Sequence, residues 1–207
     1  MFIHKTLNLT IPPEWLINHA FSLLPDITNE RETILKKHGY DILKAKHEIL
    51  QEPHNNVFRK INYNGEILLH AQINFLDLGN ESLNWVKENI ESSINMFEIS
   101  YTTVNRKISG AHTDTTDGYV FIYPLDTGGD NVKTVFYKEK GCNLVRESRL
   151  IYNDYNNLEK IDEIILQPQK WTIFNTRVIH AVEGMERSRI LLQARNFCYD
   201  FNNPLIQ

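Results

Sequence analysis

The apolar positions of this chain follow two rhythms, with a change near residue 95. Before it they recur at helical spacing; after it they come in short alternating runs broken by turn residues. Ile11-Pro12-Pro13-Glu14 opens a first predicted helix carrying Trp15, Leu16, Ala20, Leu23 and Leu24, and Pro25 stops it. A second helix is expected over 29–51, from Ile34, Leu35, Ile42, Leu43, Ile49 and Leu50, with Gly39 as a break and Pro53 beyond its end. A third is expected over 81–94, with Leu83, Trp85, Val86 and Ile90. Between the last two, 62–78 reads as an Asn64-Gly65 turn and a strand-like run.

From Met96 onward the pattern predicts strands at 97–104, 118–123, 133–138, 150–152, 161–166, 171–175, 178–182 and 188–197. Turn chemistry separates them at 126–131, Lys140-Gly141 and Gln167-Pro168-Gln169. So many short strands in so few residues imply a sandwich or barrel, and a jelly roll of two facing antiparallel sheets suits the count. In the last strand, alternation sets Arg189, Leu191, Gln193 and Arg195 on one face and Ile190, Leu192 and Ala194 on the other. The uniformly apolar face is expected beneath the N-terminal helices; the mixed face, with Arg189, is expected to look into the roll. There are no repeats and no low-complexity linker. The expectation is therefore one domain over 1–207, with 1–95 as mostly helical support packed outside one sheet and 96–200 as the β core.

Composition narrows the function classes. With 42% hydrophobic and 23% charged residues, the chain has the balance of a soluble globular protein. A formal charge of −4 and short basic clusters, such as Lys36-Lys37 and Arg106-Lys107, give no basic face, so nucleic acid is not the expected partner. No apolar run reaches membrane-span length, and the first ten residues lack the features of a signal peptide. Cys142 and Cys198 are too few and too far apart for a disulfide scaffold or a metal motif. They read as free thiols, and the expected location is the cytoplasm.

The candidate chemistry sits in the β half. His112 and Asp114 flank Thr113 on one side of a short extended stretch after Gly110, and His180 follows in a predicted strand. Two imidazoles and one carboxylate can hold a metal on one face and leave three positions open, the donor set of non-haem Fe(II) oxygenases. His-x-acid alone is weak, because about one match is expected by chance in such a chain. The rival reading of His180 is a hydrogen-bonded core histidine in the row of Val178 and Val182. The upstream pair and the arginine nine residues downstream, Arg189, turn the balance toward a metal site. His4, His19, His38, His47, His54 and His70 have no paired spacing and read as surface or helix residues. Trp171 and Asn175 are explained as well by packing and turn formation as by the pocket. Gly128-Gly129 lacks the strand–turn–helix context of a phosphate cradle.

These motifs together resemble the Fe(II)- and 2-oxoglutarate-dependent oxygenase superfamily, particularly its small prolyl-hydroxylase-like members. The text that carries the resemblance is HTD at 112–114, FIYPLD at 121–126, GGDNVKTVFY at 128–137 and WTIFNTRVIHAVEGMERSRILLQ at 171–193, about half the chain. It implies a double-stranded β-helix of jelly-roll type with supporting helices. It also implies Fe(II) held by His112, Asp114 and His180, with 2-oxoglutarate and O2 at the open positions. Arg189 would pair with the distal carboxylate of 2-oxoglutarate, since a guanidinium matches a carboxylate in a planar fork. Arg187, on the same face, is the competing partner; Arg177 and Arg195 are left as surface or substrate contacts. The family's cosubstrate tyrosine has its nearest match in Tyr101, displaced by about one residue, with Tyr123 as a second candidate. Pro124 stands where some relatives carry a further tyrosine.

Asp114 favours hydroxylation or a related oxidation over halogenation, which leaves the carboxylate position to chloride. The implied reaction is oxidation of an unactivated C–H bond with release of succinate and carbon dioxide. A non-catalytic jelly-roll binding module and, further off, a zinc hydrolase using the same triad are the alternatives. The expected partner is a prime substrate drawn from small metabolites, amino acids, peptides or protein side chains.

Overall fold

The computed structural model describes residues 2–24, 58–63, 66–71, 74–102, 110–114, 118–141, 151–152, 154–186 and 189–196. Two antiparallel sheets organise them. The larger has six strands: β1 (His4–Leu7), β4 (Asn74–Asp77), β5 (Met96–Thr102), β7 (Tyr119–Asp126), β11 (Trp171–Asn175) and β13 (Arg189–Arg195), in the order β1-β11-β7-β13-β5-β4. The smaller has five: β6 (Ala111–His112), β8 (Lys133–Glu139), β9 (Ile151–Tyr152), β10 (Leu158–Ile165) and β12 (Ile179–Glu183), in the order β10-β8-β12-β6-β9. A separate hairpin pairs β2 (Phe58–Tyr63) with β3 (Glu66–Ala71).

Strand β13 sits between β7 and β5 and shows how alternation builds the molecule. Leu192 and Ala194, both fully buried, join Phe97, Ile99, Phe121, Tyr123 and Trp171 in one apolar cluster. The same cluster takes in Leu16 and Ala20 from helix α1 (14–24) and Val86 from helix α2 (Gly79–Asn89). On the opposite face, Leu191 packs with Val120, Ile122 and Phe174 of its own sheet and with Phe136 of the other. The sheets therefore face each other across this second cluster. Each side chain so buried contributes about 1.5–3 kcal/mol relative to exposure.

Local chemistry sets the element ends. The backbone N–H groups of Leu16 and Ile17 donate to the Pro13 carbonyl at 3.0 and 3.2 Å, opening α1 where two prolines fix the chain direction. The Trp171 indole donates to the Thr10 carbonyl at 2.9 Å and ties the N-terminal segment to β11. Asn175 shapes the turn into β12: its side-chain oxygen accepts from the Arg177 N–H at 3.0 Å, and its amide nitrogen donates to the Phe2 carbonyl.

Three expectations change. Among the described residues, β1 and most of β2 are strands that the periodicity of the first 95 residues does not predict. Four residues are too few to display a period, and His4–Leu7 becomes a strand by pairing with β11. The third helix begins earlier and ends earlier than 81–94. His4 is no surface residue: its ring stacks on Phe136, centroids 5.4 Å apart, and its Nε2 lies 3.1 Å from Asp162 of the facing sheet. The helix expected over 29–51, the Asn64-Gly65 turn, both cysteines and Arg187 lie outside the described residues.

Candidate metal centre

His180 on β12 and His112 on β6 are directly opposite in the register of the smaller sheet. Their rings lie 4.5 Å apart, centroid to centroid. Asp114, two residues after His112, returns to the same side, and its Oδ1 stands 3.6 Å from His112 Nε2. Thr113 between them is fully buried. The backbone N–H of Asp114 donates to the Thr176 carbonyl at 3.0 Å, in the turn that feeds β12. The turn that carries the chain from β11 across to β12 thus leads into His180 and fixes the carboxylate beside it. Ligand atoms of the three residues all lie within 4.8 Å of one another.

The protonation pattern suits a cation. Nδ1 of His112 lies 2.9 Å from the Gly110 carbonyl, and Nδ1 of His180 lies 2.9 Å from the Val178 carbonyl. A carbonyl can only accept, so Nδ1 carries the proton in each neutral ring and Nε2 keeps its lone pair. Such outer hydrogen bonds fix tautomer and ring orientation for a metal ligand. Burial pushes the His180 imidazolium down to about 4, aided by the neighbouring His112 and opposed by Asp114. Phe174 and Phe136 wall that ring at 5.3 and 6.5 Å, which explains the desolvation. Two imidazole Nε2 atoms and one carboxylate oxygen are a donor set that fits a divalent transition metal.

Arg189 approaches from the facing sheet. It is 5% exposed, and burial lowers its guanidinium to about 10, leaving it charged at neutral pH. One terminal nitrogen donates to the Thr134 hydroxyl at 3.2 Å, while its Nε–H has no acceptor. Among the described residues, no carboxylate forms an ion pair with it. A buried cation in that condition is costly unless an anion joins it. Thr134 is opposite Val182, two residues along β12 from His180, which is opposite Phe136. Two strand residues span about 6.6 Å, comparable to the reach of a five-carbon dicarboxylate.

Thr134 was not singled out by sequence reading. Alternation pairs it in phase with Phe136, but its nearness to Arg189 depends on how two sheets face each other, which no local pattern carries.

Tyr101 and Tyr123 are not brought to this centre. Both belong with the cluster shared by the two helices, and Tyr123 packs against Trp171 with ring centroids 5.3 Å apart. On β5 the inward positions belong to Ser100 and Thr102; on β7 they belong to Val120, Ile122 and Pro124, in alternation with the helix-side residues. A one-residue displacement in a strand reverses the face, so the shifted spacing of Tyr101 carries it to the wrong side. Burial correspondingly raises the Tyr123 hydroxyl above its ordinary value.

No protein-family model and no curated protein matches the chain. Among solved structures, it is similar to a prolyl-4-hydroxylase of Pseudomonas putida, at 11% identity and TM-score 0.41, over 96% of this chain and 95% of that one. A 2OG-Fe(II) oxygenase family oxidoreductase of Burkholderia pseudomallei is similar at 10% identity and TM-score 0.41, over 92% and 94%. The epimerase SnoN, in complex with Fe3+, alpha ketoglutarate and nogalamycin RO, is similar at 7% identity and TM-score 0.40, over 68% of each chain.

Proposed function

We propose that this chain is an Fe(II)- and 2-oxoglutarate-dependent dioxygenase on a double-stranded β-helix, hydroxylating a C–H bond of its prime substrate. The observation that carries the reading is the buried Arg189, without a carboxylate partner among the described residues, beside a His112–Asp114–His180 cluster. His112 Nε2, His180 Nε2 and the Asp114 carboxylate would hold the iron. Arg189 and the Thr134 hydroxyl would receive the distal carboxylate of 2-oxoglutarate and orient it. A zinc hydrolase would use the three ligands but has no need of a buried guanidinium in the facing sheet.

When bound, iron supplies the oxygen chemistry, and the overall balance is R–H + O2 + 2-oxoglutarate giving R–OH + succinate + CO2. The protein's part is placement and exclusion of water. Phe136 and Phe174 keep one flank of His180 dry, and the paired carbonyls of Gly110 and Val178 keep both rings turned toward the metal.

Anaerobic addition of Fe(II) and then 2-oxoglutarate tests the proposal. A visible charge-transfer band is expected, with succinate released after admission of oxygen in the presence of a substrate. No band together with no retained iron refutes it, and zinc-supported turnover without oxygen replaces it by hydrolysis.

A further inference from the structure

Arg195 lies six residues from Arg189 on the same face of β13, about 20 Å along the strand, and the cosubstrate held at Arg189 is too short to reach it. It stands in one lateral row with Val120 and Phe174 of its sheet, and Phe174 packs on His180. Arg195 is also one of the charges acting on His180. Its surroundings are polar where a sandwich built only for stability would be apolar. Arg195 Nε lies 3.5 Å from Glu98 Oε2, and each side chain is 15% exposed. A terminal nitrogen of Arg195 donates to the Gln193 side-chain oxygen at 2.7 Å, and the Gln193 amide donates to the Ser100 hydroxyl at 2.9 Å. The guanidinium lies over the ring of Phe75, 4.7 Å from its centroid, and that ring is 40% exposed at the end of the sheet.

A mostly buried ion pair contributes little net stability, because desolvation offsets attraction. Its presence on the inward face calls for another reason. Guanidinium and carboxylate side by side are electrically neutral together, so a purely anionic ligand would meet Glu98 as a repulsive neighbour. A dipolar ligand exchanges into the pair without changing its net charge. We propose that the prime substrate is a free α-amino acid, its carboxylate received by Arg195 and its ammonium by Glu98, with Gln193 holding the arginine. The inference rests on the oxygenase reading, since it supplies that reaction's substrate.

The test titrates each of the twenty standard L-amino acids, under anaerobic conditions, into the protein loaded with Fe(II) and 2-oxoglutarate. Binding is read calorimetrically and as a change in the charge-transfer band. At least one free amino acid is expected to bind, and its N-acetyl and methyl ester forms are each expected to bind at least about tenfold more weakly. Arg195→Met and Glu98→Gln are expected to weaken the amino acid by a similar factor while the affinity for 2-oxoglutarate stays within about twofold. The blocked derivatives need only the unmutated protein, so a variant that fails to fold does not decide the matter. A band with no amino acid bound, or equal binding of free and blocked forms, overturns this inference alone. Absence of the band overturns the oxygenase reading and this inference with it.

Discussion

The guanidinium of Arg189 and the hydroxyl of Thr134 meet at 3.2 Å across the space between the two sheets. Neither residue is near the other in sequence, and each has a buried polar group aimed into the same place. Removing the charge should therefore weaken the cosubstrate more than removing the hydroxyl. Arg189→Ala is expected to cost about 2–5 kcal/mol of 2-oxoglutarate binding, roughly 30- to 5,000-fold in Kd. Thr134→Val, which keeps shape and loses one hydrogen bond, is expected to cost about 1 kcal/mol. Anaerobic titration of the charge-transfer band measures both. An unchanged cosubstrate Kd in the Arg189 variant would move attention to Arg187.

Iron retention should depend on the three clustered side chains unequally from their surroundings. His112→Ala and Asp114→Ala each remove a donor atom and are expected to lower Fe(II) affinity by more than about 100-fold, beyond the effect of an outer hydrogen bond alone. Metal content after gel filtration at fixed iron reads this directly. Full retention by the Asp114 variant would refute the assigned donor set.

The tyrosines give the reverse expectation. Tyr101 and Tyr123 belong to the helix-side cluster, so Tyr101→Phe and Tyr123→Phe are expected to leave the 2-oxoglutarate Kd within about twofold of the parent. A tenfold rise in either variant would put that hydroxyl back on the inward face.

What the sequence discloses follows the range of the interactions. The two faces of β13 were legible because strand alternation is local: Leu192 and Ala194 share the helix-side cluster and Leu191 the inter-sheet one. The grouping of His112, Asp114 and His180 was readable from residue type and phase, although their actual meeting depends on β6 pairing with β12. Thr134 escaped notice because its role arises between sheets. His4 was misassigned for the same reason, since only the pairing of β1 with β11 brings it to Phe136. The tyrosines stand on the helix-side face for a different reason. Family spacing suggested them, but a displacement of one residue on a pleated strand exchanges inside for outside.

Acid should weaken the metal-free protein through His180. Its folded value lies near 4, below the ordinary 6.5, chiefly because burial disfavours the imidazolium. Below about 6.5 the unfolded chain takes up a proton at this position, while the folded protein does not until about 4. The unfolded state then binds more protons, so stability falls as pH falls through this window; above it the contribution is fully present. Urea midpoints of the metal-free protein between pH 7 and 4.5 are expected to decline, and His180→Asn should make the decline shallower because that proton uptake is gone. Equal slopes for the two proteins would show that His180 is not held neutral by the fold. Saturating metal should flatten the curve in the upper part of the window, since a cation on Nε2 holds the ring unprotonated and binds only the folded chain.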